Sequence, residues 1–393
     1  MSCRRTIMGL AALLVGASAA MAQETRVIVI FHDTPDEGIV TKRGGTVDLR
    51  SDRSRMVAAH VAPNKVAEIA AEEGVASVVE DAEARIPVGD KAKPSSGGPN
   101  PQPQPAQVTP WGIDRVDAPA AWTTSVGTGI RVAIVDTGIK NDHADFKDSG
   151  GTSRVVLGPT FVNGSKNSKD DNGHGTHCAG IAGASDNSIG VVGVSPGCTL
   201  VAVKVLDRKG SGWLSGVIAG IDWAAGNADV ISMSLGSTSP LQALEDSVNS
   251  AVAQGVVVVA AGGNEGEIGN PPLYPAAYAS VIAVAATDSS DAVPSFSTHG
   301  SYIDIAAPGV SVLSTWKDGY YATLSGTSMA TPHVAGAAAL LIGSGVTSVA
   351  NIRAALQGTA DDINAATLPG VDSAIGNGLL DVEEAVTGVQ TLP

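Results

Sequence analysis

Three short segments carry side chains that together could form an acyl-transfer centre: Asp136-Thr137-Gly138, His174-Gly175-Thr176-His177-Cys178-Ala179-Gly180 and Gly326-Thr327-Ser328-Met329-Ala330. A serine hydroxyl is a weak nucleophile until a base removes its proton during attack. A neutral imidazole can do this, and a carboxylate on its other nitrogen holds the tautomer and stabilises the imidazolium that forms. Asp136, His174 and Ser328 are the three required types, and they stand 38 and 154 positions apart, so only a fold can join them. Singly, each segment has a plainer reading. Asp-Thr-Gly reads as a turn, and Gly-Thr-Ser as a helix N-cap. His174 and His177, with Cys178 behind them, read as part of a metal site, although no carboxylate or further histidine accompanies them. Ala330 stands where a Gly-x-Ser-x-Gly elbow needs its second glycine, which counts against an α/β-hydrolase esterase.

The elements around these segments place them at one edge. Arg131–Asp136 (RVAIVD), Leu200–Leu206, Val230–Leu235, Val256–Ala261 and Val281–Ala285 are apolar runs with little polar interruption, the pattern of parallel strands buried on both faces. Helices alternate with them: Leu214–Ala225, and Leu241–Gln254 with a stop at Gly255. The expected architecture is α/β, a three-layer open sandwich on a mostly parallel sheet. Asp136 closes a strand, while His174 and Ser328 each open a helix of small residues. All three therefore fall where chemistry gathers in such sheets, at the carboxyl ends of the strands. At a helix start, backbone N–H groups and the positive dipole end face whatever the Ser328 hydroxyl attacks.

With 393 residues, 44% hydrophobic and 16% charged, the chain has an ordinary globular balance. A formal net charge of −15 argues against nucleic acid or anionic membrane as a partner. Arg4 and Arg5, the apolar run Ile7–Val15 and Ala20-Met21-Ala22 read as an export signal over residues 1–22, too short to anchor in a bilayer. A secreted protein, extracellular or periplasmic, is expected. Arg26–Phe31 and Val75–Glu80 read as strands and Val61–Gly74 as a helix, giving a small α+β unit over residues 24–88. Residues 89–105, which include PSSGGPNPQPQP, form an extended linker, and residues 106–393 form the larger domain. Cys3 leaves with the signal. Cys178 and Cys198 could pair, or could remain free in an apolar interior.

The three segments resemble the signature motifs of the subtilases, in the chain order Asp, His, Ser, and the similarity runs from Ala106 to about Val386. The Cys after the second His leans towards the proteinase K branch. The resemblance implies an endopeptidase with the triad Asp136, His174 and Ser328, and places an oxyanion-stabilising amide at Asn264 in the segment AAGGNEG. It implies that Ser234, Leu235 and Gly236 pair with an extended peptide, and that Ala261, Gly262 and Gly263 wall the main specificity pocket. Leu273 stands at a pocket-base position where Gly is common, implying a shallower pocket for medium-sized apolar side chains. Structural Ca²⁺ is implied as cofactor, held by Ser185, Asn187, Ile189 and Val191 with Asp145 and Gln107, an oxygen set suited to that ion. By the same likeness, the N-terminal unit is an inhibitor propeptide and folding template, released by a cut between Val88 and Gln107. Expected partners are protein or peptide substrates and this propeptide, with the chain acting as a monomer.

Two rival readings remain. An aspartic peptidase would need a second carboxylate motif to share a proton with Asp136, and the chain holds one such motif. A non-catalytic binding protein on the same scaffold would not need competent residues at all four catalytic positions.

Overall fold

The computed structural model describes residues 24–87, 93–94, 104–364 and 370–388, with backbone alone at 93–94. The export signal and most of the linker lie outside the described residues. In the N-terminal unit, Thr46–Ser51, Met56–Val61, Thr25–Phe31 and Val75–Glu80 form an antiparallel sheet in that order. Two short helices, Glu37–Thr41 and Val66–Ala70, share its core of Val27, Val29, Phe31, Val40, Val57, Ala59 and Ile69. The helix expected over Val61–Gly74 is thus only one turn and a half. Met56–Val61 is a strand buried along almost all of its length, so it shows no polar alternation by which a strand is read.

The larger unit carries a seven-stranded parallel sheet in the order Ile305–Pro308, Ile282–Thr287, Val257–Ala261, Val230–Met233, Arg131–Asp136, Thr199–Lys204, Val155–Thr160. Alternate residues feed two cores. Val132 and Ile134 pack with the helices His174–Gly183 and Thr327–Gly343, while Ala133 and Val135 pack with Leu214–Ala224 and Gln242–Ala253. This is the expected three-layer α/β sandwich, and it explains why the strands read as unbroken apolar runs. On the first face, small residues let the two helices that matter most approach closely. A Cβ on Gly336 would lie 2.7 Å from Val194 Cβ and 3.0 Å from the Ala182 carbonyl oxygen.

Beyond its own sheet, the N-terminal unit continues as Glu83–Arg85, which pairs antiparallel with Ser211–Trp213 of the larger unit. Polar groups lock the junction. Helix Leu214–Ala224 has no cap from its own N-cap side chain, and Asp81 supplies one from the other unit, accepting from Ser215 N at 2.9 Å and Ser215 Oγ at 2.6 Å. Arg26 donates to Asp81 at 2.7 Å and lies 4.9 Å over the Trp213 ring. On the same helix, Asp222 accepts from Ser51 Oγ and Ser54 Oγ. Among the described residues, no helix is long and apolar enough to cross a membrane.

Asp81→Ala removes this cap and one carboxylate partner of a nearly buried arginine. In a Ser328→Ala background, the full-length chain should lose about 1–3 kcal/mol in denaturant unfolding, and an unchanged midpoint would show that the junction does not depend on Asp81.

Candidate active site

Asp136 is the last residue of its strand and fully buried, and both carboxylate oxygens lie 2.9 Å from His174 Nδ1. Thr137 N donates to Asp136 Oδ1 at 2.6 Å, which fixes the carboxylate's rotation. His174 begins its helix directly behind Gly173, whose φ of +118° is a left-handed value that favours glycine. The approach of helix to strand depends on Gly175, because a Cβ there would sit 2.3 Å from the Gly138 carbonyl and 3.1 Å from Asp136.

A second carboxylate, Asp170, ties this corner together. It accepts from Thr137 Oγ1, Asn172 N and Gly173 N through one oxygen, and from Thr176 N and Oγ1 through the other. Thr137 Oγ1 in turn accepts from Gly175 N at 2.9 Å. The fully buried Lys204 donates to the Thr137 carbonyl at 2.6 Å and to Asp171 at 2.7 Å. Strand end, loop and helix start are thus one hydrogen-bonded body around the Asp136–His174 pair.

Ser328 is the second residue of its helix and is fully buried. Four residues on, Pro332 has no N–H, so the Ser328 carbonyl lacks its ordinary helical donor. Side chains replace it: Ser234 Oγ donates at 2.8 Å and the Cys178 thiol at 3.5 Å. Cys178 Sγ also lies 3.9 Å from His174 Nδ1, so a single thiol spans the His174 and Ser328 elements. Asn264 meets the residue before Ser328. Its Oδ1 accepts from Thr327 N and Thr327 Oγ1, both at 2.9 Å, which turns the amide's Nδ2 away from these contacts. Asn264 Nδ2 and Ser328 Oγ are buried and make no hydrogen bond among the described residues. Such looseness is ordinary in a site without substrate.

The metal reading of the histidine pair does not hold for His177. Its Nε2 contacts the carbonyls of Val312 and Ala322, and burial pushes its pKa down to about 3, which keeps the ring neutral and structural. Cys178 and Cys198 are both free and buried, and burial pushes both thiols up.

Beside Ser328 the edge segment is already paired. Arg85 N donates to the Gly236 carbonyl at 3.0 Å and Gly236 N to the Arg85 carbonyl at 2.9 Å. Leu235 points its side chain into the core, so any role in the cleft belongs to its backbone. Across the cleft, Ala261 is buried, Gly262 donates to Val284 and Gly263 donates to Thr327 Oγ1. Leu273 is 4% exposed, its Cγ 2.4 Å from where a Gly236 Cβ would stand.

The six residues expected to hold a cation are neighbours, joined largely through N–H groups, and Asn187 Oδ1 accepts from Ile189 N. Asp145, fully buried, accepts from Asn187 Nδ2 and Val191 N, and Ser185 N donates to its carbonyl. Gln107 Oε1 accepts from Asn187 N at 2.6 Å, and Ala106 bridges to Ile189. Burial pushes the Asp145 carboxyl up to about 6. Sequence reading did not find Asp170, Thr137, Thr327, Lys204 or the role of Pro332. The signals were present in Asp170-Asp171-Asn172 just ahead of a helix start, and in a proline inside one.

A model of the Subtilase family matches residues 127–378. The chain is 49% identical over 256 residues to thermitase of Thermoactinomyces vulgaris, covering 65% of this chain and 89% of that protein. It is 48% identical over 283 residues to Subtilisin Savinase of Lederbergia lenta, covering 71% and 99%. With Subtilisin J of Geobacillus stearothermophilus it shares 40% over 383 residues, 94% of this chain and 93% of that one, so this likeness extends through the N-terminal unit. A match of this extent, over a sheet edge where Asp136 already holds His174 beside the Ser328 helix, settles the family: the chain belongs to the subtilases and is a serine endopeptidase.

Proposed function

We propose that this endopeptidase is exported as an autoinhibited precursor and cuts extended protein segments through an acyl-enzyme on Ser328. The observation that carries the reading is Glu83–Arg85, which lies as an added strand between Ser211–Trp213 and Gly236, the place a substrate backbone would take. Ser328 Oγ attacks the carbonyl carbon while His174 Nε2 takes its proton, and Asp136 stabilises the imidazolium through Nδ1. The oxyanion receives hydrogen bonds from the Ser328 N–H and from Asn264 Nδ2, whose orientation Thr327 fixes. His174 then protonates the leaving amine, and water, activated by the same base, releases the acyl group. Arg4 to Ala22 supports export, and the N-terminal unit acts as inhibitor because it fills the cleft of its own chain.

Gln107, Asp145, Ser185, Asn187, Ile189 and Val191 would hold Ca²⁺. Side-chain oxygens of Asp145, Asn187 and Gln107 with three backbone carbonyls suit a hard cation. Bound there, the ion would supply structural charge and tie the stretch around Gln107 to the loop after the His174 helix. Leu273 at the pocket floor favours medium-sized apolar side chains before the cut.

Three outcomes follow. Fluorophosphonate should label the mature enzyme and not Ser328→Ala, and Asn264→Ala should lower kcat by about 10²–10³ with little change in KM. Absence of labelling would defeat the serine mechanism. Excess chelator should lower the Tm of the mature form, whereas Asp145→Asn should have a low Tm that chelator barely moves, read by scanning calorimetry. In a peptide library the wild type should prefer Leu or Met over Phe and Tyr, and Leu273→Gly should raise kcat/KM for Phe and Tyr about tenfold or more. A wild-type profile led by Phe and Tyr would remove Leu273 from the account.

A further inference from the structure

We propose that Lys204 is a positioning residue for this reaction: its buried ammonium, seated beside Asp136, keeps His174 in the neutral, proton-accepting form at lower pH than Asp136 alone would permit. The inference rests on the reading of His174 as the base. Its first support is register. Asp136 and Lys204 are direct partners at the ends of adjacent parallel strands, so their side chains leave the same face of the sheet. The alternate residues before them, Val132 and Ile134 on one strand and Leu200 and Ala202 on the other, belong to the core shared with Cys178 and Met329. Lys204 therefore stands on the side of the sheet that carries the His174 and Ser328 helices.

The charge of Lys204 follows from its partners. Its Nζ donates to the Thr137 carbonyl at 2.6 Å, to Asp171 Oδ1 at 2.7 Å and to the Leu206 carbonyl at 3.0 Å. Three acceptors call for three N–H donors, and only the ammonium form has them. The two charges of this ion pair are not felt equally in the interior. The Lys204 side chain is 1% exposed and that of Asp171 53%, so water screens the carboxylate far more than the ammonium. A net positive field remains beside Asp136, whose carboxylate is fully buried against a neutral imidazole and is costly to hold there without one. The ammonium also clamps the turn that follows the strand. Thr137 N donates to Asp136 Oδ1 at 2.6 Å while the Thr137 carbonyl is held by Lys204.

The other groups around His174 leave this role to Lys204. The loop ahead of the His174 helix brings Asp170, which accepts from Thr176, and Asp171, whose carbonyl accepts from the exposed Lys317. Asp145 lies past the far end of that helix, where its carbonyl accepts from Ser185 N. Within the helix His177 and Cys178 are kept uncharged, since burial pushes the imidazole down to about 3 and the thiol up. On the Ser328 helix, TSMATPHVAGAAALLIG, the single titratable side chain is His333, which burial lowers to about 4. Of these groups Lys204 alone is a cation removed from water. A neighbouring cation opposes the imidazolium, whereas Asp136 favours it. Loss of the ammonium therefore raises the pH at which His174 takes up its proton, and loss of the Asp171 carboxylate lowers it.

The test measures kcat/KM between about pH 5 and about pH 9 for the mature wild type, Lys204→Met, Lys204→Arg and Asp171→Asn, on a peptide with no titrating side chain. In Lys204→Met the acid limb should move up by about one pH unit, so that activity at the foot of the limb falls about tenfold relative to the plateau. Lys204→Arg should bring the limb back towards its wild-type position. Asp171→Asn, a change at an exposed side chain, should move it down. A merely structural lysine would lower kcat at every pH and leave the limb where it is. Scanning calorimetry identifies a variant that has failed to fold. If Lys204→Met is that variant, Asp171→Asn decides, and a limb unmoved or raised there overturns the assignment. So does a limb that folded Lys204→Met leaves at the wild-type pH, or a shift of the same sign in both variants. The two levels separate in the wild type itself: a profile with no acid limb defeats the reading of His174 as base and this inference with it, whereas an ordinary limb that ignores Lys204 defeats the inference alone.

Discussion

The contact between Asp136 and His174 depends on how closely a helix of small residues can approach the end of a parallel strand. Gly175 lies against Gly138 and Asp136 with no room for a side chain, and Gly336 allows the Ser328 helix equally near to Ala182. If either helix stood even a methyl group further out, the imidazole would lose its carboxylate or the serine its neighbours. The unbroken apolar strands serve the same end. They allow layers on both faces, so that one face can be given over to the two small-residue helices while the other supplies bulk through Leu214, Ile218, Leu244 and Val248.

Around that contact the site is held by hydrogen bonds that converge on backbone groups. Thr137 joins the strand end to the first turn of the His174 helix, Asp170 joins both to the preceding loop, and Lys204 fixes the Thr137 carbonyl from beneath. Preorganisation of this kind sets the carboxylate against the imidazole before the reaction begins, so that no structural rearrangement need accompany the developing imidazolium. Close to this site, the protein's own Glu83–Arg85 lies extended between Ser211–Trp213 and Gly236.

Much of this was legible in the sequence. Asp136, His174, Ser328 and Asn264 sit at strand ends and helix starts that local patterns predict, and the strand Arg131–Asp136 is found with the bounds expected. Val155–Thr160 and Ile305–Pro308 went unread because Gly158-Pro159 breaks the first and the second is only four residues ending in proline. Met56–Val61 was hidden for the opposite reason, being apolar apart from His60 and so lacking alternation. Asp170 and Lys204 could not be distinguished from other charged loop and strand residues, because their partners come from distant parts of the chain. The register that sets Arg85 opposite Gly236 is likewise a property of two segments about 150 residues apart, and neither one encodes it alone.

Pro332 has a mechanical consequence. By withholding a helical N–H it leaves the Ser328 carbonyl to Ser234, which lies two residues from Gly236 in the segment that grips the extended chain. Together with the Cys178 thiol, this 2.8 Å bond ties the segment that pairs with Arg85 to the peptide unit that bears the hydroxyl. A displacement of that segment would therefore carry the Ser328 peptide unit with it, which makes the spacing between the segment and the hydroxyl a fixed dimension of the fold.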